Sequence, residues 1–198
     1  MDENKAYEDL KFIKQIIEDS KREFVYNGID YIVWGILTFI GLIATYFTIH
    51  WSFFRSIGII WLGIVFVGYL FGYLNGKREE RIMPATFLRK SISAVWTATG
   101  ISMLIFGFIA PFNNHYLSVF ICPFLSTVLG TAYFITGSLV DGKWMKYLSI
   151  GWWAGAVTMF IIPGLYSLLL MAFMMLVLQT IPGIILYRKF RREMKAVK

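Results

Sequence analysis

The sequence predicts an all-α membrane protein: a six-transmembrane-helix bundle with an amphipathic N-terminal cytoplasmic helix and both termini cytoplasmic. Three observations predict it. Between Tyr31 and Tyr187 the chain falls into six apolar segments with no charged residue in the middle of any; each is close to the roughly 20 residues a helix needs to cross a bilayer. Of the 19 Lys and Arg residues, all but Arg55 fall on one side of the zigzag that these segments trace. Only 16% of the 198 residues are charged while 58% are hydrophobic, where a soluble domain carries about 25% charge.

Residues 1–28 are read as a cytoplasmic amphipathic helix. Leu10, Ile13, Ile17 and Phe24 recur at helical spacing, reinforced by Phe12 and Ile16, and Lys11, Lys14, Glu18, Asp19 and Arg22 take the rest of the wheel. This stripe is the candidate partner face, and it has three candidate occupants: the inner ends of the bundle, a second copy in a homo-oligomer, or a cytoplasmic protein partner. A helix lying flat on anionic lipid carries a basic polar face, whereas this stretch is balanced to slightly acidic. The opening also lacks the basic-then-apolar order of a cleaved signal peptide, so the first apolar segment is expected to stay as an anchor. Asn27-Gly28 breaks the helix from that first segment.

Residues 29–187 form the bundle, with apolar windows at 31–49, 53–74, 92–110, 116–140, 145–162 and 164–187. These runs are too long for barrel strands of about 10 residues and do not alternate. Lys77, Arg78, Arg81, Arg89 and Lys90 lie between the second and third windows, and Lys143 and Lys146 lie at the join of the fourth and fifth. Basic residues mark cytoplasmic loops, so the chain is expected in the cytoplasmic membrane as a multi-pass protein, N-in and C-in. The outward loops near 50–51, 111–115 and 163 are too short to hold an external domain. Residues 188–198 are a basic cytoplasmic tail that can gain about 1 kcal/mol per basic residue from anionic lipid headgroups; setting topology is its plainer role. The net charge of +7 follows from that role, and with no nucleic-acid-reading module in the chain, no nucleic-acid partner is expected.

Within the bundle, Gly68, Gly72 and Gly76 stand four apart, a spacing that lets another helix approach closely. Ser126 and Gly130 repeat it more weakly. Trp34, Trp96 and the Trp152-Trp153 pair each lie near the inner start of an outward-running segment and precede small or hydroxyl residues, which hints at three hairpins in parallel repeat. Serine and threonine in a span can bond back to their own helix. Gln179 cannot, and it stands with Thr180 just before Pro182-Gly183, where the helix is expected to kink or loosen. These four residues are the candidate pathway or hinge; interhelical hydrogen bonding is the plainer role for the glutamine.

Little in this chain suits catalysis. A nucleophile needs a base within reach, and the spans offer Ser and Thr with no acid or base at depth, so no catalytic residue, enzyme activity or cofactor is expected. His50 and His115 fall in outward loops and could share a metal, but two histidines without a carboxylate or thiolate make a weak site. Cys122 is the single cysteine, cannot form an internal disulfide, and is expected as a buried thiol.

The opening run EDLKFIKQIIE at residues 8–18, leading into Trp34-Gly35, and the closing QTIPGIILY at 179–187 resemble a group of uncharacterised bacterial six-span inner-membrane proteins. The resemblance covers about a quarter of the chain. It implies a bacterial inner-membrane protein that works with a cytoplasmic regulator, and it carries no site. The functional expectation is a non-enzymatic regulatory or scaffold role through the N-terminal helix; the alternative is a small-solute transporter or channel using the broken sixth span.

Overall fold

A backbone that leaves water must satisfy its own N–H and C=O groups, and a helix does so within one segment. In a computed structural model the described residues are 7, 28–51, 56–80, 87–109 and 119–196, and the elements they form are helical rods. The rods are α1 (Gly28–His50), α2 (Ser56–Glu80), α3 (Phe87–Leu104) with a π-helical turn at Ile105–Ile109, α4 (Ile121–Leu139) and α5 (Lys143–Ile161). The last rod runs through α6 (Leu165–Met174), a π-helical stretch at Met175–Thr180, and α7 (Ile181–Ala196). The stripe of Leu10, Ile13, Ile17 and Phe24 lies outside the described residues, as do His115 and Arg55.

Among the described residues five rods are long and apolar enough to cross a membrane: Gly28–His50, Ser56–Lys77, Phe87–Ile109, Ile121–Leu139 and Leu165–Lys189. The remaining rod, α5, has 19 residues and opens on Lys143 and Lys146, which shorten its uncharged length. It is nevertheless deeply packed, with Met145, Ser149, Trp152, Ala156 and Met159 buried.

Residues near the start of one helix repeatedly meet residues near the end of its neighbour. Asp30 accepts a hydrogen bond of 3.2 Å from the Asn75 amide, and further along the same pair the Trp61 indole donates to Thr45 at 3.0 Å. The ring of Phe106 stacks on Phe124 while that of Trp96 meets Tyr133. Such pairings make α1–α2, α3–α4, α4–α5 and α5–α6 antiparallel, and α1 also runs antiparallel to the last rod, against which it packs along its length. The most extensive pairings are the α4–α5 hairpin and α1 with the last rod. The turn of that hairpin places Asp141 at φ 53°, a left-handed position that aspartate tolerates. Gly164, at φ 126°, turns the chain from α5 into α6 where a side chain would be strained.

The core runs through α4, α5 and the last rod, where Tyr133, Met145, Trp152, Met159 and Met171 are almost fully enclosed. By contrast α2 touches mainly α1 and shows Ile59, Leu62, Phe66 and Leu74 outward. An apolar outer face of this kind suits a lipid surrounding. The zigzag gathers Lys77, Arg89, Lys90, Lys143, Lys146, Arg188, Lys189, Arg191 and Arg192 at one end of the bundle, the end where Gly28 begins α1.

Candidate functional site

Four helices bring aromatic rings together in the half of the bundle nearer the basic end. Tyr31 of α1 meets Trp96 of α3 edge-on at 5.3 Å between ring centres and Tyr133 of α4 at 5.7 Å. Tyr133 also meets Trp96 at 5.6 Å and, on α5, Trp152 at 6.1 Å. Perpendicular and tilted pairings of this sort satisfy the ring quadrupoles and fill space. Tyr133, Thr136 and Trp152 are fully enclosed as a result.

This centre is polar as well as dense. The Tyr31, Tyr133 and Thr136 hydroxyls, the Trp152 indole N–H and the Gln179 amide oxygen are all buried without a hydrogen-bond partner among the described residues. An unmet buried polar group costs about 1–3 kcal/mol, so five of them in one bundle call for a reason. Gln179 belongs to the same region: it stands one turn before Gly183, and a Cβ at Gly183 would lie 2.9 Å from Cβ of Tyr31.

Several other hydroxyls at depth have partners. Ser102, Thr127, Thr131 and Thr158 donate to the carbonyl four residues back. Ser126 instead donates across the hairpin to the Trp152 carbonyl at 2.7 Å, a buried bond that ties α4 to α5. Next to it Gly130 is covered by the Trp153 indole.

Around Gln179 the helix widens rather than stops. Pro182 has no N–H to give, and the π-helical stretch at Met175–Thr180 lies immediately before it. The Ile181 N–H reaches back five residues to the Leu176 carbonyl, and the Thr180 hydroxyl donates to the Met175 carbonyl at 3.0 Å. Glycines on both sides admit α1 here. A Cβ at Gly28 would stand 2.9 Å from the Gly183 carbonyl oxygen, and Gly35 lies under the Thr180 side chain. Of the candidate hinge residues, the structure thus places Thr180 and Gly183 against α1.

The glycines of α2 are divided. Gly68 is covered by the Trp34 indole, whereas at Gly72 and Gly76 an added Cβ would meet nothing within 4 Å. The three tryptophan positions also make unlike contacts: Trp34 lies on the helix after its own, Trp153 on the helix before, and Trp96 on α1 and α4. His50 is exposed in the last turn of α1. No group of three His, Cys, Asp or Glu residues placed to hold a metal ion occurs among the described residues. Cys122 is free and buried.

Sequence reasoning did not single out Tyr31, Tyr133 or Trp152 as polar groups. Each stands in an apolar run where a ring reads as packing, and only tertiary contacts reveal an unpaired hydroxyl or N–H. No family model, curated protein or solved structure matches this chain.

Proposed function

We propose that this chain is a six-span protein of the cytoplasmic membrane, N-in and C-in, with a non-enzymatic regulatory or scaffold role exercised through its N-terminal helix. The observation that supports it is the gathering of the described Lys and Arg residues at the one end of the bundle where residues 1–27 join it. A basic end is the cytoplasmic end. On this reading the amphipathic stripe of Leu10, Ile13, Ile17 and Phe24 belongs to the cytoplasmic side and engages a cytoplasmic protein or a second copy. Crosslinking and co-purification with and without residues 1–25 test this. Loss of a partner or a change of oligomeric state on deletion supports it, and unchanged partners and unchanged size overturn it.

A second reading, a small-solute transporter or channel, is favoured by the unpaired polar groups beside the π-helical stretch. Donors and an acceptor gathered at membrane depth resemble the lining of a pathway in its closed, dry state. On this reading, proteoliposomes with Gln179→Leu pass less of a small neutral solute such as glycerol than those with the natural chain. Tyr133→Phe sharpens the comparison: deleting an unpaired hydroxyl is expected to raise Tm while lowering flux. Equal flux for the natural chain and both variants would sink the transporter reading.

A further inference from the structure

At the basic end, α1 and α7 cross with their backbones nearly touching, because Gly28 lies against the Gly183 carbonyl and the Tyr187 N–H. Beside that crossing the helices part to leave a groove of roughly 410 Å³, lined by Ile32, Ile184, Tyr187, Arg188, Arg191 and Arg192. The lining is divided by chemistry. Ile32 and Ile184 lie on the bundle side, and the three arginines lie on the side away from it, where α7 continues past the apolar run that ends at Tyr187.

Arg188, Arg191 and Arg192 fall at i, i+3 and i+4, so they share one helical face. The Arg191 guanidinium sits over the Tyr187 ring at 6.0 Å from its centre, a contact that restrains the side chain toward the groove. Guanidinium groups bind phosphate through paired N–H donors rather than as point charges. A floor of isoleucine beneath a rim of arginine fits a molecule with a phosphate at one end and hydrocarbon at the other. Free phosphate would use the rim and leave the floor unfilled.

We propose that this groove binds the phosphate headgroup of an anionic membrane phospholipid, the three arginines holding the phosphate and an acyl chain lying along Ile32 and Ile184. The proposal rests on the membrane placement proposed for the bundle, and it turns the general attraction of a basic tail for anionic lipid into a defined site. A diffuse attraction depends on the number of basic residues, whereas a site depends on which ones and on the space between them.

The test is native mass spectrometry of the full chain released from detergent micelles, titrated with phosphatidylglycerol, phosphatidylcholine or inorganic phosphate. The expected result is discrete phosphatidylglycerol adducts at least tenfold more abundant than phosphatidylcholine adducts and not displaced by equimolar phosphate. A basic residue at a membrane surface contributes a factor of about five. The combined Arg188→Gln, Arg191→Gln, Arg192→Gln variant should therefore lose tenfold or more. The charge-matched control, Lys77→Gln with Lys143→Gln and Lys146→Gln, should stay within twofold. Ile184→Trp keeps every charge but fills the groove and should lose binding comparably, with Tm measured for each variant to confirm folding. Equal losses in the control, retention in Ile184→Trp, or displacement by inorganic phosphate would each overturn the lipid site. A C-terminus accessible from outside the cell would remove the proposed orientation without altering these adduct ratios, so the two ideas fail separately.

Discussion

A glycine four residues from the next has no fixed meaning until its neighbour is known. Gly72 continues the spacing of Gly68, yet an added Cβ there meets open space, while at Gly28, which belongs to no such run, it meets the Gly183 carbonyl oxygen and the Tyr187 N–H at 2.9 Å each. Backbone atoms cannot swing aside as the end of a side chain can. Gly28→Ala is therefore expected to push α1 and α7 apart at a cost of about 1–3 kcal/mol. Gly72→Ala should instead leave stability unchanged or raise it by up to about 1 kcal/mol, since alanine is the better helix former. Thermal unfolding in matched detergent checks both, and a larger loss for Gly72→Ala than for Gly28→Ala would contradict the packing described. Asp30 teaches the same lesson for charge. Near the start of α1 it takes Asn75 as its partner, across the α1–α2 pair.

Between elements, the α4–α5 hairpin is joined by a polar tie as well as by ring packing. Ser126 and Thr127 are adjacent and chemically alike, but Ser126 bonds across to the Trp152 carbonyl whereas Thr127 bonds back to Pro123 within its own helix. Hydrogen bonds between membrane helices are worth about 0.6 kcal/mol on average and up to about 1.7. Ser126→Ala is expected to cost an amount in that range, because the carbonyl it leaves is buried; Thr127→Ala should change stability by less than about 0.5 kcal/mol. Denaturant titration of the two variants separates a tie between helices from a hydroxyl idling on its own backbone. The last rod shows a different adjustment. A proline at this place is expected to break or loosen a helix, and the chain instead stays helical through Pro182 by widening into five-residue hydrogen bonding at Met175–Thr180. A wider turn changes the face that each side chain presents, and within it Gln179 and Thr180 are both buried.

For the whole molecule the orientation is the claim with the widest consequences. Single cysteines placed at Trp51 and Pro163, in a Cys122→Ser background, should react with a membrane-impermeant maleimide applied to intact cells. Cysteines at Lys143 and Lys189 should react only after the membrane is opened; the reverse pattern would invert the proposed topology. The helical class, the approximate limits of the rods and the charge asymmetry were all legible from residues alone, because hydropathy and charge are sums along the chain and need no knowledge of neighbours. The windows at 31–49 and 145–162 fall within two or three residues of α1 and α5 for that reason. The candidate sites were legible only in part. Gln179 and Pro182 stand out as a polar residue and an imino acid in an apolar run, so composition reveals them. Tyr133 and Trp152 do not, since their unpaired atoms are defined by what four helices leave uncovered, and Thr136 stands out as polar but reads as a hydroxyl that bonds back to its own helix. The groove at Ile32 and Ile184 likewise depends on where α1 and α7 part, which no periodicity contains. Sequence alone determined that this chain is helical, apolar and basic at one face, through forces that act residue by residue. Only tertiary structure decided which glycines touch, which hydroxyls go unpaired and where the arginines meet an apolar floor, because these depend on close contacts between segments far apart in the chain.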